Sequence, residues 1–248
     1  MEKTELIKRG EDLQTRCVHR RRITHTHFLT PAEQHELETG LRREAGCTVL
    51  LHGGAADCER SIAFFLPDYL VPEEFHPDEF IAALQIKASF GEPGHRDYLG
   101  ALLGMGVERD RIGDIRITES TAYVFCEPEI LRHISTVGKV GRCGVKTQVV
   151  PLEEVPAEEH RVRTVQFSVM SSRLDAVVAG MFRLSRTQAA KHIALGDVSL
   201  NYSVTLRQDT LVNPGDVISL RGKGKGTLSE TGGTSRKGRT FLTAEIRV

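Results

Sequence analysis

No stretch of this 248-residue chain approaches the ~20 consecutive apolar residues that crossing a bilayer requires, so no membrane partner is expected. The start, MEKTELIKRGEDLQTRC, is too charged for a secretory signal, and a cytoplasmic protein is the expectation. Cys17, Cys47, Cys58, Cys126 and Cys143 are odd in number and include no C-x-x-C pair, which argues against a disulfide framework and against a zinc site. Neither G-x-x-x-x-G-K-[ST] nor G-x-G-x-x-G occurs, so nucleotide-dependent chemistry has no support and no cofactor is expected. Net charge is also absent, but the zero hides a polarity: from Phe167 onward 12 Lys and Arg stand against 6 Asp and Glu, and before it 21 against 27. A basic tail on an acidic front is the electrostatic footprint of a phosphate-binding surface.

The length suits two or three small domains. Residues 2–22 read as one helix, closed by Arg20, Arg21 and Arg22, whose charges suit the helix dipole. Thr30-Pro31-Ala32-Glu33 opens a second, with Thr30 as cap and Glu33 completing a capping box, running to about Glu44. Cys47 to Leu51 is β-rich. His52-Gly53-Gly54 turns it toward a helix starting near Asp57, and the Gly pair is only weak support for a phosphate cradle. Pro67, Pro72 and Pro77 punctuate a loop. A new rhythm follows: a strand in 80–89, a helix in 95–105, strands in 113–120 and 121–127, a helix in 128–141 and a strand in 145–152. That order, β-α-β-β-α-β, is the ferredoxin-like plan shared with RNA-recognition motifs. Tyr123 and Phe125 alternate on the third strand, where such motifs stack bases, but the surrounding letters depart from the RNP pattern and core packing is expected.

Pro- and Glu-rich residues 151–159 read as a linker, and VRTVQFSVM as a strand leading into SSRLDAVVAGMFRLSRTQAAKHIALGDVSLN. There Leu174, Val177, Val178 and Met181 make one helical face behind Ser172 as N-cap. Ser185 and Gln188 make a capping box for a second helix with Ala189, Ala190, Ile193 and Ala194 inward, Lys191 outward and Gly196 as the stop. Asn213-Pro214-Gly215-Asp216 signals a turn before a strand, Val217 to Arg221, and Phe241 to Val248 reads as a closing strand. Between them, Gly222 to Arg239 reads as a mobile basic loop carrying Lys223, Lys225, Arg236, Lys237 and Arg239.

Arg173-Leu174-Asp175, Ser185-Arg186, Gln188-Ala189, Lys191, Ile193, Gly196-Asp197-Val198, Asn201 and Gly215-Asp216 resemble the RNA-binding domain first known from ribosomal protein S-four. His95 to Leu102, Gly106-Val107 and Arg111 to Ile115 are similar to the middle of the bacterial YlmH family, and with the tail they bring nearly the whole chain under the likeness. The resemblance implies an α+β protein: an N-terminal α/β subdomain at 1–77, an RRM-like domain at 78–152, a linker and lead-in strand at 153–166, and an S-four-type domain of two helices and a β-sheet at 167–248. It also implies a ribosome-associated protein that contacts ribosomal RNA and tRNA, acting on stalled large subunits that hold peptidyl-tRNA.

The candidate RNA contacts carried over are Arg173, Ser185, Arg186, Gln188, Lys191 and Asn201, with Asp175 orienting Arg173, and the loop cations extend them. Arg is apt because its planar fork holds phosphate bidentately. Capping explains Ser185 and Gln188 equally well, so Arg173, Arg186 and Lys191 rank first. One departure is Tyr202, where the family usually has Gly after the Asn. The enzyme alternative is a pseudouridine synthase, whose catalytic Asp lies in an R-L-D setting; here that triplet opens the small module, and the residues after Asp175 are expected to hold no catalytic sheet. A general RNA-binding or division-linked protein is the third reading. His95-Arg96-Asp97 could suggest acid-base work, but Asp97 suits a helix start and Arg96 could pair with Asp114 or RNA.

Overall fold

Two capping boxes written in the sequence open two helices in the computed structural model, which describes residues 4–42, 44–157, 162–234 and 238–247. The chain forms two units, Met1–Glu158 and Glu159–Val248. In the first, Thr4 caps α1 (Glu5–Arg20), which stops where Arg21 turns left-handed at φ 48°. After β1 (Thr24–Leu29), Thr30 and Glu33 form the expected reciprocal cap on α2 (Pro31–Gly40). That helix ends short of Glu44, because Leu41 is already extended. β2 (Cys47–His52) and β3 (Ser61–Pro67) complete an antiparallel sheet of order β1-β3-β2.

The helix expected near Asp57 does not form. SIAFFLP becomes the central strand, buried at every position. Its run is apolar without a 3.6-residue period, the pattern of a strand covered on both faces. Ala63 and Phe65 meet Ile7, Cys17 and Leu37 of the two helices, while Ile62, Phe64 and Leu66 meet Phe125, Ala83 and Val150.

Those last three belong to a second sheet, built from β4 (Ala82–Ala88), β5 (Ile112–Thr118), β6 (Thr121–Cys126), β7 (Lys139–Val140) and β8 (Cys143–Val150). Its order is β5-β6-β4-β8-β7, with every neighbour antiparallel. α3 (His95–Gly104) and α4 (Pro128–Ile134) cover one face through Tyr98, Leu102 and Ile134 against Leu84, Ile86 and Val124. α4 is half the expected length: Ser135 and Thr136 turn their hydroxyls back onto the carbonyls of Arg132 and His133, and Lys139–Val140 pairs as a strand. The segments 1–77 and 78–152 thus share one unit and one cluster around Phe64 and Phe125. Phe125 is a core residue, fully buried.

The second unit has one antiparallel sheet of order β11-β10-β12-β13-β14-β9. Its strands are β9 (Val162–Val169), β10 (Val198–Leu200), β11 (Ser203–Val204), β12 (Val217–Leu220), β13 (Gly224–Thr234) and β14 (Thr240–Arg247). α5 (Leu174–Met181) and α6 (Arg186–Ala194) lie on one face. Leu174, Val177, Val178 and Met181 have no exposure, and each such burial is worth about 1.5–3 kcal/mol. Ala189 and Ile193 are buried as expected, whereas Ala194 is exposed.

Two expectations are corrected here. Ser172 is not the N-cap of α5; Arg173 is, without a side-chain cap, because Ser172 O accepts from Val212 N and Leu174 N donates to Thr210 O, holding 172–174 extended beside 210–212. The expected mobile loop at 222–239 is largely strand instead: Gly224–Thr234 is β13, paired to β12 and β14. The side chains at Arg236 and Lys237 lie outside the described residues.

Candidate nucleic-acid interface

The candidate residues at the start of α5 and α6 converge on one carboxylate. Asp175, near-buried at the second position of α5, accepts from Arg173 Nε at 3.2 Å and from its own neighbour Ala176 N at 2.9 Å through Oδ1. Its Oδ2 accepts from Arg186 at 2.5 Å, across an interval of eleven residues. Burial pushes this carboxyl up, but the hydrogen bonds and charges of Arg186 and Arg173 outweigh it and hold the group below its ordinary 3.8. The two guanidiniums keep their outer edges in water, with side-chain exposures of 38% for Arg173 and 60% for Arg186. One anion therefore cancels the mutual repulsion of two cations and leaves a net positive, pre-set fork at the surface.

Lys191 is exposed on the side of α6 away from Ala189 and Ile193, and among the described residues it forms no ion pair. Ser185 and Gln188 are occupied with each other's backbone: Ser185 Oγ accepts from Gln188 N at 3.2 Å and Gln188 Oε1 from Ser185 N at 2.9 Å. Asn201 is likewise engaged. Its Nδ2 donates to Asp216 Oδ1 at 2.8 Å and its Oδ1 accepts from Val217 N at 2.9 Å. Asn201 and Tyr202, at φ 48° and 64°, form the two-residue turn joining β10 to β11. A turn with both central residues left-handed favours Asn-Gly, so Tyr202 holds the usual geometry at a strained position.

Among the described residues, Lys223, Lys225 and Arg239 do not bond to Asp175. Lys225 lies on β13 between inward-facing Gly224 and Gly226 and points to the sheet face opposite α5 and α6, its Nζ 5.6 Å from the Tyr202 ring. With Glu245 and Arg247 they line a cleft of about 180 Å³. Lys223 is an exposed turn residue. Arg239 is drawn to β9, donating to Ser168 Oγ at 3.0 Å and to Ser168 O.

Arg183 is a further candidate that the sequence reading passed over. It sits between the helices at φ 53°, where Leu184 N donates to Ala179 O at 2.9 Å, the closing bond of a helix end whose left-handed residue is usually glycine. It is exposed and, among the described residues, without an ion pair. The only sequence signal is a charged residue where α5 must end with Gly-like geometry.

In the first unit the weaker candidates resolve into structure. A Cβ at Gly53 would come within 2.3 Å of Arg60 O, and one at Gly54, φ 103°, within 2.4 Å of the Phe125 ring, so this pair serves close packing. Asp97 accepts from Gly94 N at 2.8 Å as a helix cap. Asp114 accepts from the amides of Glu59 and Arg60 at 2.5 and 3.1 Å rather than from Arg96. All five cysteines are free thiols, and burial pushes Cys126 and Cys47 up to about 12 and Cys58 to about 11, which makes them poor nucleophiles. Among the described residues no three His, Cys, Asp or Glu side chains converge as a metal-ligand set, and no helix is long and apolar enough to cross a membrane.

Residues 73–154 match a family model described as "Putative RNA-binding domain in YlmH". The chain is 30% identical over 229 residues to the ribosome-associated protein quality control protein P2 of Bacillus subtilis (strain 168), covering 90% of this chain and 87% of that protein. Its fold is similar to that of the solved cell division protein ylmH from Streptococcus pneumoniae, with a TM-score of 0.51 and 21% identity over 60% of this chain and 91% of that one.

Proposed function

The chain belongs to the YlmH family, and from that premise we propose that it is a non-enzymatic RNA-binding protein of ribosome-associated quality control. Its targets on this reading are ribosomal RNA and peptidyl-tRNA on the large ribosomal subunit, in the cytoplasm. The observation that carries the proposal is the Arg173-Asp175-Arg186 fork, a surface arrangement suited to a phosphate and held in place before any ligand arrives. Lys191 and Arg183 widen it. Ser185 and Gln188 cap the helix that carries Arg186, Asn201 fixes the β10–β11 turn, and Lys223, Lys225 and Arg239 offer further positive charge to phosphates.

The domain plan belongs to the same proposal. In the β-α-β-β-α-β segment, β4 lies between β6 and β8 and β5 lies outside β6, the order expected of a ferredoxin-like, RRM-like domain at 78–152. Two helices on an antiparallel sheet support an S-four-type domain at 167–248, entered through 153–166. Segment 1–77 is then an N-terminal subdomain that shares the Phe64 and Phe125 cluster with 78–152.

The pseudouridine synthase reading is disfavoured by the state of Asp175. Its Oδ1 accepts from Arg173 and Ala176 and its Oδ2 from Arg186, so the carboxylate is engaged in holding the two arginines. In-cell crosslinking followed by sequencing of the bound RNA tests the proposal: fragments of large-subunit ribosomal RNA together with tRNA are expected, and a spread of messenger RNA with neither would overturn it. Asp175-dependent formation of pseudouridine in ribosomal RNA incubated with the protein would restore the enzyme reading.

A further inference from the structure

Among the described residues the first unit has four edge strands, and three of them are guarded. β1 breaks its register in a bulge between His25 and Phe28, β5 does the same between Ile112 and Ile115, and β7 is only two residues long. Bulges and short edges are the usual protection against pairing with a further strand. β2 has neither. It keeps unbroken register with β3 from Cys47 to His52, and its residues, CTVLLH, include no Lys, Arg, Asp, Glu or Pro. Among the described residues, no backbone group of β2 bonds to backbone beyond β3.

A cleft of about 620 Å³ lies along this edge. Residues 47–51 all line it, and because the side chains of a strand alternate between faces, a cleft lined by five in succession runs beside the strand rather than over one face. Val49, cross-strand from Phe65, is 38% exposed there, and Leu37 and Leu41 add apolar wall. α1 contributes Gln14, only 4% exposed, whose side-chain amide has no hydrogen bond among the described residues. An amide so buried costs stability until something bonds to it. The charged lining is Glu38, Arg42 and Glu44, all exposed and none in an ion pair among the described residues. Its balance is negative, like that of the chain before Phe167.

We propose that β2 and this cleft dock an extended, positively charged segment of another protein, which joins the sheet as a fourth strand. The outer N–H and C=O groups of β2 bond to the segment's backbone, and its alternate apolar side chains enter beside Val49 and Leu41. The amide of Gln14, donor and acceptor at once, meets a further polar group of the segment, and Lys or Arg flanking the apolar stretch meet Glu38 and Glu44. An RNA strand fits poorly, because the lining sets two carboxylates against one guanidinium and offers no aromatic ring to stack on. The proposal does not rest on the RNA-binding reading, and either can fail alone.

The test titrates the full chain into a fluorescent octapeptide with a central Thr-Val-Thr-Val stretch and two lysines at each end, and reads anisotropy. Glutamates in place of those lysines should weaken binding about ten-fold or more. N-methylating the two valine amides in one peptide and the two threonine amides in another should give affinities about ten-fold apart, because the amides of alternate residues point to opposite edges and only one edge meets β2. Val49→Lys, which puts a charge on the edge strand, should weaken binding about ten-fold with little change in melting temperature, since this side chain is already 38% exposed. Gln14→Leu should weaken it about three-fold and leave the fold as stable or more so. Equal affinities of the two N-methylated peptides, or wild-type affinity in Val49→Lys, would overturn the docking mode. Equal binding of the lysine and glutamate peptides would overturn the charge assignment, and no binding of the lysine peptide would overturn the whole. If Val49→Lys fails to fold, the N-methylated pair decides alone. A wild-type chain that sediments as a dimer and is dissociated by Val49→Lys would give the edge to a second copy, against the proposal.

Discussion

At the scale of single residues, the candidate interface has side chains in positions that cost stability. Arg183 holds a left-handed conformation that disfavours non-glycine residues by about 1–2 kcal/mol, against an entropy cost of about 0.5–1 kcal/mol for glycine. Arg183→Gly should therefore raise stability by roughly 0.5–1 kcal/mol in denaturant unfolding while weakening RNA binding, and a loss of stability would show that the arginine packs in a way its exposure hides. Asp175 gives a pH signature. Its carboxyl is held below the ordinary 3.8, so the folded state binds the proton less readily than the unfolded one. Its contribution is complete above about pH 4 and is lost as pH falls through the lowered value. Asp175→Asn should cost about 1–2 kcal/mol at pH 7, small for a buried carboxylate because its partners stay half in water, and should flatten the stability profile only below about pH 4. A flattening centred near neutral pH would contradict this assignment.

At the scale of elements, what could be read in the sequence was what is local. Thr30 with Glu33 and Ser185 with Gln188 are capping boxes three residues apart, and each lies at the first turn of a helix as expected. The apolar face of Leu174, Val177, Val178 and Met181 follows from period alone. What could not be read depends on partners distant in the chain. Ser61–Pro67 has no period because it is buried on both faces, so only the covering layers identify it as a strand. GKGTLSETGGT reads as a loop by composition, yet its backbone pairs along β14. The link from Arg186 to Asp175 joins two helices and has no signature in spacing. α5 also approaches β9 closely: a Cβ on Gly180 would come within 2.1 Å of the Phe167 ring. Gly180→Ala, which in an exposed helix would gain about 1 kcal/mol, should here cost roughly 1–2 kcal/mol through overpacking, measurable as a lower melting midpoint. Unchanged or increased stability would show that Phe167 yields freely.

At the scale of the whole molecule, the acidic front and basic tail seen in composition become two units with different surfaces. In the second unit Arg173, Arg183, Arg186 and Lys191 lie on or beside α5 and α6, and Lys225 points to the opposite face of the sheet. Electrostatic contacts of this kind govern affinity more than sequence choice, so binding should fall steeply with salt. The central claim is that Arg186 and Lys191 meet ribosomal RNA, and it is tested most directly by sedimentation with large ribosomal subunits over a series of salt concentrations. With Arg186→Ala and Lys191→Ala together, association should weaken and the slope of log affinity against log salt should flatten by roughly one per cation removed. Association and slope both equal to those of the wild-type chain would contradict the account.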